Sequence, residues 1–209
     1  MELAMKSKTK RQRGFTLLET VVAIGIIFTV AGILVVKSFG SMESYKANSS
    51  MDTVVSQLRV ARQLAISQRR TVFVWVDTAF TGGGAGSQHI RYQVQPAPKS
   101  GELAGKMVSV ALPGQTQFLL PPGVPDTPMA FGTCSGNAVC IGNVNGGPPI
   151  MQFNSTGTFT DGTGLSPLNG TVFVSIAGQS ITTRAVTIMG GTGRVRPYTY
   201  TGASGGWIE

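Results

Sequence analysis

A carboxylate inside an apolar run, two closely spaced thiols and a single imidazole are the side chains that could do chemistry. The carboxylate is Glu19, the only charge in the 22 residues 15–36, FTLLETVVAIGIIFTVAGILVV. An acid at the centre of such a segment in a bilayer costs about 2.5 to 3.5 kcal/mol, and less near an end, so Glu19 calls for a cationic partner. His89 is the only histidine, which excludes a His-based triad and a multi-histidine metal site. Gly82-Gly83-Gly84-Ala85-Gly86 lacks the Lys-Ser/Thr of a phosphate-cradling loop and fits a hairpin turn. Asp161-Gly162 lacks the spaced acids of a calcium loop and reads as a turn. No catalytic residue, cofactor or metal is expected, and an enzyme is not the reading these residues favour.

Cys134 and Cys140 lie in a Gly- and Asn-containing loop with no histidine nearby. A disulfide is the better reading of the pair; closing so short a loop stabilises by about 2 kcal/mol and needs an oxidising compartment. Two free thiols are the alternative.

The elements that must carry these groups follow from composition and pattern. Gly at 28, Pro at 11 and charged residues at 12% point to a turn-rich body with much β-structure, and 209 residues suit one such domain plus an extension. The net charge of +8 is concentrated at the start. Lys6, Lys8, Lys10, Arg11 and Arg13 stand against Glu2, so half of the excess lies in the first fourteen residues. The apolar run then spans about 33 Å as a helix, enough to cross a hydrocarbon core. Basic residues before it hold the N-terminus in the cytoplasm and send the remainder across. The run is longer than a secretory signal and continues into Lys37-Ser38-Phe39, so the helix is expected to be retained; a simple signal anchor is the bland alternative.

Beyond the membrane segment Met51, Val54, Leu58, Ala61 and Ala65 recur at helical spacing, and Pro is absent from residues 15–71, so one long helix is predicted. Arg59, Arg62, Arg69 and Arg70 fall beside that stripe as a basic edge, either a solvated face or a surface for acidic partners or phosphates. Gly25 and Gly32 share one face of the membrane segment, where close helix packing is possible. After Arg70 the period becomes two, predicting strands at 71–76, 91–95, 107–111, 171–177, 181–189 and 194–200. Turn signals such as Pro121-Pro122-Gly123 and Asn169-Gly170 separate them. The expected organisation is a leader at 1–14, a transmembrane helix at 15–38, its amphipathic continuation at 39–70 and a β-rich domain at 71–209. An α+β fold results, with antiparallel sheet covering the apolar stripe of the helix.

Arg13-Gly14-Phe15-Thr16-Leu17-Leu18-Glu19 resembles the class III signal of type IV pilins. The resemblance implies that a prepilin peptidase cuts after Gly14 and methylates Phe15. It further implies that Glu19 pairs with the free α-amino group of Phe15 on an adjacent subunit during filament assembly. Residues 58–72 (LRVARQLAISQRRTV), 150–157 (IMQFNSTG) and 193–196 (GRVR) are similar to elements of the GspH/FimT family of minor pseudopilins. The family resemblance implies a type IV pilin-like fold, a bacterial inner-membrane protein with a periplasmic domain, and other pilins or pseudopilins as partners. The inserts at 80–88 and 113–149 match nothing in it.

Members of that family serve in type II secretion, in a tip complex that drives protein export, or in type IV pili, where some bind DNA for natural transformation through a G-R-x-R motif. Gly193 to Arg196 matches the motif. In an extended strand Arg194, Arg196, Tyr198 and Tyr200 share one face about 6.6 Å apart, with arginines for phosphates and tyrosines for stacking on bases. Pro197 implies an edge strand or tail and hence an exposed row. Two arginines guarding a sheet edge are the plainer explanation.

Overall fold

The computed structural model describes residues 16–77, 88–95, 105–126, 128, 131, 134–142, 150–202 and 206–209, with only the backbone given for 35–41. The proposed leader, Gly14 and Phe15 lie outside them.

One helix, α1, runs Leu17–Gln68. Thr16 caps its start: the backbone N–H of Glu19 donates to Thr16 Oγ1 at 3.3 Å, one half of the reciprocal arrangement that Thr-x-x-Glu favours. At the other end Arg69 adopts φ 51°, and Arg70 N donates to the Ala65 carbonyl at 3.1 Å, which closes the last turn with a left-handed residue. The β-branched pair Thr71-Val72 then starts the strands.

The chain divides into two compact units, Met1–Ser41 and Met42–Glu209. In the first, Leu17–Leu34 is an 18-residue stretch of mean hydropathy 2.4, long and apolar enough to cross a membrane, with every one of its side chains exposed. The amphipathic half of α1 belongs to the second unit together with all of the described strands.

Two antiparallel sheets make up that unit. The first has the order β3-β2-β1-β6-β7 and comprises β1 (Val72–Asp77), β2 (His89–Val94), β3 (Val108–Ala111), β6 (Met151–Phe153) and β7 (Phe159–Asp161). The second has the order β11-β10-β9-β8-β4: β4 (Thr116–Gln117), β8 (Gly170–Ile176), β9 (Gln179–Met189), β10 (Arg194–Tyr200) and β11 (Trp207–Ile208), with β5 (Val139–Ile141) also paired to β8. All six predicted strands are present within about two residues of their expected ends; β4, β5, β6, β7 and β11 were not predicted. The expected α+β class is thus the observed one.

Val54, Leu58, Ala61 and Ala65 are wholly buried, and Met51 packs against them. They meet Val72, Val74, Ile90, Met151, Phe153 and Phe159 from the first sheet and Val172, Val174, Val186, Ile188 and Val195 from the second. One apolar core therefore joins the helix to one face of each sheet. Arg184 tethers β9 to the helix beside this core, its Nε donating to Asn48 Oδ1 at 2.7 Å; burial lowers its pKa from the usual guanidinium value.

The second sheet is buried on its other face too. Phe173, Ala185, Tyr198 and Tyr200 pack there with Leu120, Val124, Cys134 and Cys140 from the unpredictable 113–149 insert. Cys134 and Cys140 are joined as a disulfide with Cα atoms 5.3 Å apart. The insert is a cover for this face, which explains why β8 is buried at all seven positions instead of alternating.

Candidate functional site

Three segments separated widely in sequence converge at one end of β10. The turn between β6 and β7 presents Gly157, whose N–H donates to the Asn154 carbonyl at 2.7 Å. The turn between β9 and β10 presents Gly193, whose N–H donates to the Met189 carbonyl at 2.7 Å. Both glycines have positive φ, 82° and 62°. A Cβ on Gly193 would stand 2.0 Å from the Gly157 carbonyl oxygen, so only glycine lets the two turns touch. The third segment is the basic edge of α1. Arg62 Nε donates to the Gly157 carbonyl at 3.3 Å, and Arg59 Nη2 donates to the Val195 carbonyl at 3.5 Å.

Between these parts lies an open groove of about 650 Å³ lined by Arg59, Arg62, Gln63, Thr192, Gly193 and Arg194 among others. None of its described lining residues is acidic. Arg194 is exposed, its backbone N–H donating to Thr192 Oγ1 at 3.3 Å. On the far side of Arg194 a smaller hollow of about 90 Å³ is walled by Thr187, Met189, Arg196, Tyr198 and Phe131. In the sequence Arg59 and Arg62 read as the basic edge of a helix, either a solvated face or a surface for acidic partners or phosphates. Nothing local in the sequence says that this edge faces Arg194, because tertiary packing alone brings them together.

The expected row of Arg194, Arg196, Tyr198 and Tyr200 does share one face, but it is not an exposed row. Tyr198 is 3% and Tyr200 9% exposed, under the disulfide-bearing insert and beside Trp207, whose ring centre is 5.5 Å from that of Tyr200. Neither tyrosine can stack on a base from there. The period of a strand tells which residues share a face and is silent on what covers it. Arg196 is half-buried and bonded to Glu209 Oε2 at 3.2 Å. Its hydrogen bond with Tyr198 and then the Glu209 charge hold its pKa above the usual guanidinium value. Pro197 sits opposite Val186 of β9 in the stretch that β11 leaves uncovered, since β11 pairs only with Thr199 and Tyr200. The edge expectation therefore holds for the N-terminal part of β10 and fails for its end.

Glu19 lies in the first turn of α1 and is exposed. A carboxylate there complements the positive end of the helix dipole as well as any cation from outside.

Residues 9–35 match the family model of the prokaryotic N-terminal methylation motif, and the chain carries that motif. No curated protein matches the sequence. Two solved structures are similar at low identity. One is the minor pseudopilin EpsH from the type 2 secretion system of Vibrio cholerae, 13% identical, with 74% of this chain and 97% of that chain covered and a TM-score of 0.45. The other is the type IV minor pilin FimU of Pseudomonas aeruginosa strain PAO1, 14% identical, covering 79% of this chain and 94% of that one with a TM-score of 0.43.

Proposed function

We propose that this chain is a minor pilin or pseudopilin that a prepilin peptidase cuts after Gly14 and methylates at Phe15. The apolar first part of the helix anchors it in the inner membrane, with the remainder in the periplasm, until it is drawn into a filament of pilin-like subunits. The observation that carries this reading is the match of residues 9–35 to the methylation motif, immediately ahead of and within an apolar helix that is exposed on every side. Such a helix finds its proper surroundings only in lipid or against other apolar helices. Glu19 supplies the charge that pairs with the α-amino group of Phe15 on a neighbour, and the Cys134–Cys140 disulfide fits an oxidising compartment. Mass spectrometry of the native protein tests the reading. A mass that begins at N-methylated Phe15 is expected; an intact Met1, or a start beyond the apolar helix, would refute it.

A second function rides on the first. Exposed Arg194 beside an acid-free groove favours DNA retention in a type IV pilus over the alternative of a secretion-system subunit that drives protein export without touching DNA. A mobility shift comparing the native chain with Arg194→Ala/Arg196→Ala tests it, and equal affinity in the two would remove DNA from the account.

A further inference from the structure

We infer that Arg59 and Arg62 of α1 join Arg194 to grip the phosphates of a single-stranded nucleic acid, so the binding surface runs across the groove and not along β10. The inference rests on the DNA reading above and reassigns where the contacts are made.

Charge placement comes first. Arg196, the second arginine of the motif, is bonded to Glu209 and half-buried, whereas the groove gathers three guanidinium groups with no acid among its described walls. Those groups are also held in place. Arg62 and Arg59 each donate one hydrogen bond to a backbone carbonyl, Gly157 in the β6–β7 turn and Val195 in β10 respectively. A guanidinium has five N–H donors in a rigid fork, so one anchored donor fixes its direction and leaves others to meet a phosphate. Arg59 and Arg62 are three residues apart on the helix, which places their Cβ atoms about 5–6 Å apart on one side. Gln63 and Thr192 add neutral polar atoms to the same walls.

The choice of a nucleic acid over an acidic polypeptide comes from the hollow on the other side of Arg194. Its walls include Met189 and Tyr198, and Met189 also lines the groove, so the two spaces meet at Arg194 and Met189. A strand whose phosphates follow the arginines brings one planar base against exposed Met189 at the mouth of this recess; an acidic peptide brings charge alone. A base can enter only when unstacked, which selects single strands over duplex.

The test uses the full chain in detergent micelles and the fluorescence anisotropy of labelled twenty-residue oligothymidylate over a salt series. Each lost phosphate contact on a single strand flattens the log–log salt dependence by about 0.7, so Arg59→Gln and Arg194→Gln should each do so and should weaken binding roughly three- to tenfold at ~0.1 M salt. Arg62→Gln should act likewise with Arg62→Lys restoring most of the affinity, while Arg69→Gln, an equal loss of charge outside the groove, stays within about twofold of the parent. A parent protein that binds no DNA ends the DNA reading itself. A parent that binds, with a slope unmoved by Arg59→Gln and Arg62→Gln but lost in Arg194→Gln/Arg196→Gln, leaves that reading standing and overturns this one. Polyglutamate of matched charge competing as well as the oligonucleotide, or duplex binding as tightly as single strand, overturns it too.

Discussion

The two ends of α1 have the same backbone geometry and opposite relations to their surroundings. In Leu17–Leu34 apolar side chains point in every direction and stay uncovered, Leu17 at 82% and Phe28 at 73% exposed. In the second unit Val54, Leu58, Ala61 and Ala65 lie at 0% while Arg59 and Gln63 face outward. Propensity does not account for the contrast, because Leu17–Leu34 is helical although half of it is β-branched and it contains Gly25 and Gly32. The difference is the angular distribution of apolar groups. A stripe has one partner, and the chain supplies it from its own sheets; a cylinder needs partners all round, which only lipid or neighbouring helices provide.

That contrast can be broken or sharpened by substitution. Leu58→Ala should cost the body about 3 kcal/mol by leaving a cavity in the core, seen as a lower urea midpoint in detergent. Ile27→Ala, the same kind of truncation in the exposed cylinder, should leave that midpoint unmoved, and matched losses at the two sites would erase the distinction. Gly193→Ala should cost about 2 to 3 kcal/mol, because φ of 62° strains an L residue and the added methyl meets the Gly157 carbonyl. Replacing Cys134 and Cys140 together by Ser should remove about 2 kcal/mol and shift the fluorescence of Trp207 to the red as the cover over β10 loosens. Smallest in thermodynamic terms is Glu19→Ala, which should alter body stability by less than ~0.5 kcal/mol yet abolish filament incorporation with cleavage intact. Normal incorporation of that variant would remove Glu19 from assembly.

Legibility in the sequence followed the range of the interactions. The helix and the six longer strands show their periods within a window of residues, so spacing alone located them. Strands as short as Thr116–Gln117, Met151–Phe153, Phe159–Asp161 and Trp207–Ile208 hold too few side chains to show a period; the first two are fixed by the distant strands β8 and β1, and the last two by their hairpin neighbours β6 and β10. The site divides in the same way. Gly193 and Arg194 were legible as a motif, and Arg59 with Arg62 as a helical edge, but their meeting depends on the fold. Burial of Tyr198 and Tyr200 was not legible, because the residues that cover them come from an insert without pattern.

The contact of Gly157 with Gly193 affects how inherited or selected variants should be scored. A side chain at Gly193 would push one hairpin off the other, and one at Gly157 would press on Ile66 and Arg62 of the helix; either displaces the nearby guanidinium groups while leaving every positive charge in the chain. A screen that counted only captured nucleic acid would class such a variant with the charge-removal mutants, though its defect is one of alignment. A thermal melt alongside the capture assay separates them, since the glycine variant loses both and an arginine variant only the second.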